Sequence, residues 1–247
     1  KQVFIGINGN KLSESEFNTK LFVARKIAEN EIYNSPLSQK QYFYFSSLHN
    51  RTLIYKGLLI PEDIDRFYLD LSNPDLVTKL ALVHQRYSTN TFPTWDLAQP
   101  FRYMCHNGEI NTLKGNVSRM TTREELLKSE FIDDEDMKKI FPIILSEKSD
   151  SACMDMVLEL LLITGRSLPE AMMMLVPEAW EKHKSMDDSK KAFYKFNSCI
   201  MEPWDGPASI PFTDGTYIGA LLDRNGLRPS RYSVTKDGYV IMSSETG

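Results

Sequence analysis

The sequence predicts an α+β fold with two sheets and outer helices, because β-type runs come early, helical runs fill the middle and β-type runs return at the end. Two turn signals strengthen that reading. Asp214-Gly215 separates residues 208–213 from 216–223, and Lys236-Asp237-Gly238 separates two β-branched runs, each in the manner of a hairpin. A third signal, Ser13 followed three residues later by Glu16, marks the start of a helix by its capping box.

Taken in order, residues 3–7 read as a short buried strand. The capped helix follows, with Phe17, Leu21, Ala24 and Ala28 on one face. Residues 41–48 and 52–56 read as a hairpin across His49-Asn50-Arg51. Pro61-Glu62-Asp63 opens a short helix. Residues 79–84 and 101–105 read as core strands. Asp150 stands at an N-cap position ahead of a helix that buries Val157, Leu158 and Leu161, and Gly165 is placed to stop it. Helical character continues through residues 168–196, where Met172-Met173-Met174 suits packing between helices and the charges of residues 182–191 suit a solvated face. No repeat, low-complexity tract or linker interrupts the chain, so residues 1–247 are expected to form one domain.

Composition bounds the function classes. An apolar fraction of 42% and a charged fraction of 25% are those of a globular protein with a core. A net charge of −4 without a polybasic run argues against nucleic acid and anionic membrane as partners, and no apolar stretch reaches the roughly 20 residues that span a bilayer. Cys105, Cys153 and Cys199 are odd in number and widely spaced, which argues for a reducing compartment and against a disulfide framework or a zinc site.

The chemistry concentrates at the ends of the two expected core strands. Arg86-Tyr87-Ser88-Thr89 ends one, and Cys105-His106-Asn107-Gly108-Glu109 ends the other. An arginine fork holds a carboxylate through two parallel hydrogen bonds, and an Asn amide beside a Gly N–H supplies two donors to an oxyanion. Such a pair suits a site that binds an amino acid and attacks its side-chain carbonyl. Each residue also has a structural reading: an ion pair for Arg86, a cap for Asp150, and a type I′ turn for Asn107-Gly108. That turn needs a strand directly after Gly108, whereas residues 109–112 lead toward a helix-like segment. Cys105 and His106 are adjacent in a strand and point to opposite faces, so neither readily activates the other.

These runs, with Ser149-Asp150-Ser151-Ala152 and with residues 165–180, 201–215 and 218–232, resemble the class II glutamine amidotransferase domain of glutamate synthase. The resemblance covers nearly the whole sequence after the first few dozen residues. It implies the four-layer αββα sandwich of N-terminal-nucleophile hydrolases, incomplete here at its N-terminus. It also implies an N-terminal cysteine that attacks the carboxamide of L-glutamine and releases glutamate and ammonia for transfer to 2-oxoglutarate. By position, Arg86 with Thr89 would hold the α-carboxylate, Asn107 and Gly108 would form the oxyanion hole, and Asp150 would bind the α-ammonium.

Because the chain begins with Lys1 rather than cysteine, it is expected to be an internal piece of a larger enzyme and inactive alone. No cofactor or metal is expected within it. The resemblance places FMN and an iron–sulfur cluster, with NADPH or ferredoxin as electron donor, elsewhere in the full enzyme. The partners it implies are the remaining synthase domains and a small reductase subunit, in the cytoplasm or in a plastid. A glutamine-binding or assembly module without catalysis, and another class II amidotransferase, are the alternatives.

Overall fold

The structure is a computed structural model that describes residues 1–86 and 91–245. Its regular elements are α1 (Glu14–Asn34), α2 (Ile64–Phe67), β1 (Asn107–Gly108), α3 (Leu113–Glu124), α4 (Asp134–Lys139), α5 (Asp150–Ile163), α6 (Leu168–Leu175), α7 (Asp188–Asn197), β2 (Ala208–Thr213), β3 (Ile218–Leu222), β4 (Arg231–Val234) and β5 (Val240–Ser243). Short 3-10 turns at Lys40–Tyr42, Pro61–Asp63 and Leu69–Ser72 complete the list. Mixed helices and antiparallel sheets make it α+β, with a three-stranded sheet ordered β1-β2-β3 and a separate β4-β5 pair.

The late hairpins form where the turn residues place them. Asp214 Oδ1 accepts from the N–H groups of Thr216 and Tyr217, closing the β2–β3 turn, and Thr213 pairs with Ile218. Gly238, at φ +90°, provides the left-handed turn residue between β4 and β5. Both halves of the Ser13–Glu16 capping box are made at the start of α1. Gly165, at φ +95°, ends α5 in a Schellman arrangement: its N–H reaches Leu162 O, and that of Arg166 reaches Leu161 O.

The core is centred on α5 and α6. Met154, Val157 and Leu158 pack with Leu168, Met172 and Leu175, and Ile210 and Phe212 of β2 close the other side. Met172 and Met174 are buried, as gap-filling between helices requires.

The early strands do not form. Residues 3–7 are exposed, Phe4 by 93%, and pair with no strand among the described residues. Residues 41–56 form no hairpin. Their turn is instead held by side chains of α1: Arg51 pairs with Glu14, and Asn50 hydrogen-bonds Asn18. Residues 79–84 are irregular. β-type residues without a hydrogen-bonding neighbour do not make a strand, since most of their preference comes from cross-strand packing. Residues 101–105 are not a regular strand either. Only Met104 bridges to Phe212, and the same antiparallel register resumes at Asn107 and Gly108 against Ser209 and Ala208.

Two further expectations are corrected. Helicity does not persist from 168 to 196, because Pro177 forces Val176 out of helical geometry (φ −125°, ψ 72°), and a new helix starts only where Asp187 caps α7. The face of α1 that packs inward is also only partly the apolar one expected: Leu21 is buried, and Phe17 and Ala28 are half-buried. Ala24 is exposed, while Phe22, Arg25, Lys26 and Glu29 are buried.

Candidate functional site

The run Cys105-His106-Asn107-Gly108-Glu109 lies against β2 and then turns away toward α3. Pro207 O accepts the Glu109 N–H at 3.0 Å, and Asp205 O accepts the Asn111 N–H at 2.7 Å. Asn107-Gly108 is therefore part of a strand, not the apex of a hairpin. Gly108 sits at φ +135°, and a Cβ added there would meet Pro207 O at 1.9 Å, so no other residue fits. The Asn107 side-chain amide donates to Ser244 Oγ at 2.9 Å and to Glu245 Oε1 at 3.2 Å. Arg228 Nη2 holds that same Glu245 oxygen at 3.2 Å. The amide is thus aimed at an anionic oxygen.

Asp150 does not cap α5. Ser149 does, its Oγ accepting the Ala152 N–H, and Asp150 is the first helical residue, where the positive end of the helix dipole favours an acid. Freed from capping, its carboxylate turns toward the Asn107 run. Oδ2 accepts the Ile110 N–H at 2.9 Å, and Oδ1 lies 3.5 Å from His106 Nε2. Burial alone would raise its pKa. The His106 contact and the Ile110 and Ser151 N–H groups outweigh that and hold it below the usual carboxylate range. Asp150 is therefore an anion at neutral pH.

This carboxylate forms part of the wall of a cavity of about 720 Å³, with Thr91, Glu109, Asn111, Arg119, Lys148 and Glu202 among its other lining residues. Lys148, next to the Ser149 cap, is tied down by an ion pair to Asp96 at 2.5 Å.

Arg86 is exposed, and no contact joins its guanidinium to Asn107 or Asp150 among the described residues. Its segment is nevertheless attached to the same place. His84, two residues earlier, hydrogen-bonds His106 O through Nε2 at 2.9 Å, and its Nδ1 accepts the Arg86 N–H at 3.3 Å. Thr89 lies outside the described residues. His106 thus connects all three runs, with His84 on its carbonyl, Gln99 on its N–H and Asp150 beside its ring. The sequence offered no signal for this role, because its contacts come from distant segments.

Cys105 and Cys153 are buried, and burial pushes each thiol up to about 12, so neither holds a thiolate at neutral pH. Among the described residues no helix is long and apolar enough to cross a membrane, and no cluster of three metal-ligating side chains occurs.

The family of class-II glutamine amidotransferases matches the chain over residues 1–247. The chain is 51% identical over its full length to the glutamate synthase [NADPH] large chain of Bacillus subtilis, of which it spans 16%. It is 52% identical over 96% of its length to the glutamate synthase [NADH] of Saccharomyces cerevisiae, spanning 11% of that protein. It is 44% identical over 98% of its length to the ferredoxin-dependent glutamate synthase of the alga Antithamnion, spanning 16%. This chain belongs to the class-II glutamine amidotransferases.

Proposed function

We propose that the chain is the glutaminase part of a glutamate synthase. It would take L-glutamine, with the whole of residues 1–247 acting as one domain of the four-layer αββα type within a longer polypeptide. Asp150 binds the α-ammonium, Arg86 with Thr89 binds the α-carboxylate, and the Asn107 amide and Gly108 N–H stabilise the tetrahedral oxyanion. The observation that carries this reading is the ionised Asp150 carboxylate on a cavity wall, bonded to Ile110 just beyond the Asn107-Gly108 pair. A cation-binding acid and two neutral donors on adjoining backbone fit an amino acid whose side-chain carbonyl is attacked.

The attacking thiolate would be supplied by a cysteine outside these residues and the chain by itself would be inactive: burial disfavours the Cys105 and Cys153 thiolates, and the exposed Cys199 thiol, just after α7, donates to Lys195 O. Ammonia then passes to 2-oxoglutarate in another part of the polypeptide. The iron–sulfur centre and the flavin would lie in other parts of the longer polypeptide, where they would supply the electrons for reduction. The relatives named above are called NADPH, NADH and ferredoxin-dependent enzymes, and the donor is set outside this region.

In the full-length polypeptide, Asn107→Ala is expected to lower glutaminase kcat about 10²- to 10³-fold, the loss typical of removing one oxyanion donor. Asp150→Ala raises the KM for glutamine instead. Glutamine turnover that Asn107→Ala leaves intact would remove the assignment.

A further inference from the structure

One helix grips the backbone on both sides of the Asn107-Gly108 pair. At the start of α5, Asp150 Oδ2 takes the Ile110 N–H at 2.9 Å. Farther along the helix, Asp155 takes three consecutive N–H groups that precede the pair: Arg102 at 3.0 Å on Oδ2, and Tyr103 at 2.8 Å and Met104 at 3.2 Å on Oδ1. Three successive backbone donors turned onto one anion form a nest. Residues 102–104 adopt this arrangement where a regular strand would send alternate N–H groups to a neighbouring strand.

We propose that Asp155 is a positioning residue for the reaction at Asn107 and Gly108, fixing the register in which their donors meet the oxyanion. The inference rests on the glutaminase reading above. Asp155 touches no substrate and acts through the backbone it holds.

The surroundings of Asp155 support that role over simple packing. Its side chain is 1% exposed. Arg102 Nη1 stands 4.0 Å from its Oδ2 while Nη2 reaches Glu29, and Arg25 joins Glu29 to Glu159 beneath. Apolar residues of similar volume usually stabilise a core as well as such a charged cluster does. Packing therefore gives no reason for a carboxylate at this point, whereas three converging N–H groups need an anion with two oxygens. A carboxamide has one acceptor oxygen, and its NH₂ would face a backbone N–H. Burial, with the nearby Glu159 charge adding to it, pushes the Asp155 carboxyl up to about 6, against the pull of the Arg102 guanidinium and of the Tyr103 and Arg102 N–H groups, so the anion is present at neutral pH.

The test is Asp155→Asn in the full-length polypeptide, alone and with Asn107→Ala, with kcat counted per folded active site. Asp155→Asn alone is expected to lower glutaminase kcat at least tenfold, with KM for glutamine and the dissociation constant of glutamate changed less than twofold. In the Asn107→Ala background it is expected to lower kcat no further, because two changes on one path do not add. A kcat within twofold of the parent, or equal losses in both backgrounds, overturns the proposal. Should the variant fail to fold, amide hydrogen exchange on the unmutated protein decides the matter. The Arg102, Tyr103 and Met104 amides are expected to be as protected as those of α5, and free exchange overturns the proposal. A parent without glutamine turnover would sink the glutaminase reading, while the exchange measurement still judges the clamp.

Discussion

Helices α1 and α5 pack against each other, yet they differ in how much charge they bury: α5 turns in mostly apolar residues, α1 at least as many polar and charged ones as apolar. α5 buries Val157, Leu158 and Leu161, which its patterning told in advance, together with Met154, Asp155 and Glu159, which it did not. α1 turns Phe22 and Val23 inward together with Arg25, Lys26 and Glu29. Arg25 bonds Glu29 at 2.7 Å and Glu159 at 2.5 Å, and Lys26 Nζ donates to Pro142 O at 2.6 Å. Hydrophobic periodicity finds the inner face only when the neighbour is apolar. Where the neighbour supplies carboxylates and carbonyls, charged residues can occupy that face.

The comparison can be broken most sharply at Arg25. Arg25→Met leaves the buried Glu29 and Glu159 with only the more distant Arg102, at 3.2 and 3.7 Å, and is expected to cost about 3–5 kcal/mol. Leu158→Ala in α5, an ordinary cavity, is expected to cost about 2–5 kcal/mol. Urea unfolding of both variants measures the two. An Arg25→Met cost below that of a surface substitution would show that the charges of α1 are not compensating one another.

A smaller effect separates the helices by pH. Burial pulls Lys26 down to about 8, more than the nearby Glu29 and Glu159 restore, with Arg25 and Arg102 adding to the fall. Between about pH 8 and 10.5 the unfolded chain therefore binds more protons than the folded one. The stability contributed by this group rises with pH across that window, by at most about 1.4 kcal/mol per pH unit. Lys26→Met removes its share of that rise. A variant whose unfolding midpoint tracks the parent at every pH from 8 to 10 contradicts the assignment.

The smallest effect lies at the head of α5. Ser149→Ala removes the Oγ acceptor of the Ala152 N–H and is expected to cost about 1 kcal/mol by thermal or urea unfolding. An equal loss from Asp150→Ala with none from Ser149→Ala would return the cap to Asp150.

The local signals proved the most legible. The Ser13–Glu16 box, the Gly165 stop, and the hairpins at Asp214-Gly215 and Lys236-Asp237-Gly238 each need only a few neighbouring residues, and each formed. The strands expected at 3–7, 41–56 and 79–84 needed partners the sequence could not guarantee. For the candidate site, the runs around Asn107 and Asp150 stood out in the sequence by their residue types. Their meeting through Ile110 and His106, and the role of His84 as a tie, were not.

By itself the sequence determined the family, the late hairpin turns, the Ser13 cap and the apolar core of α5 and α6. Tertiary structure alone decided that Asp150 is a first-turn acid bonded to Ile110 instead of a cap, that α1 faces inward with its charges, and that Asp155 holds residues 102–104. The physical reason is range. Caps and turns are settled within a few residues, whereas buried carboxylates and backbone N–H groups find partners by long-range packing, from Asp150 to Ile110 and from Glu159 back to Arg25.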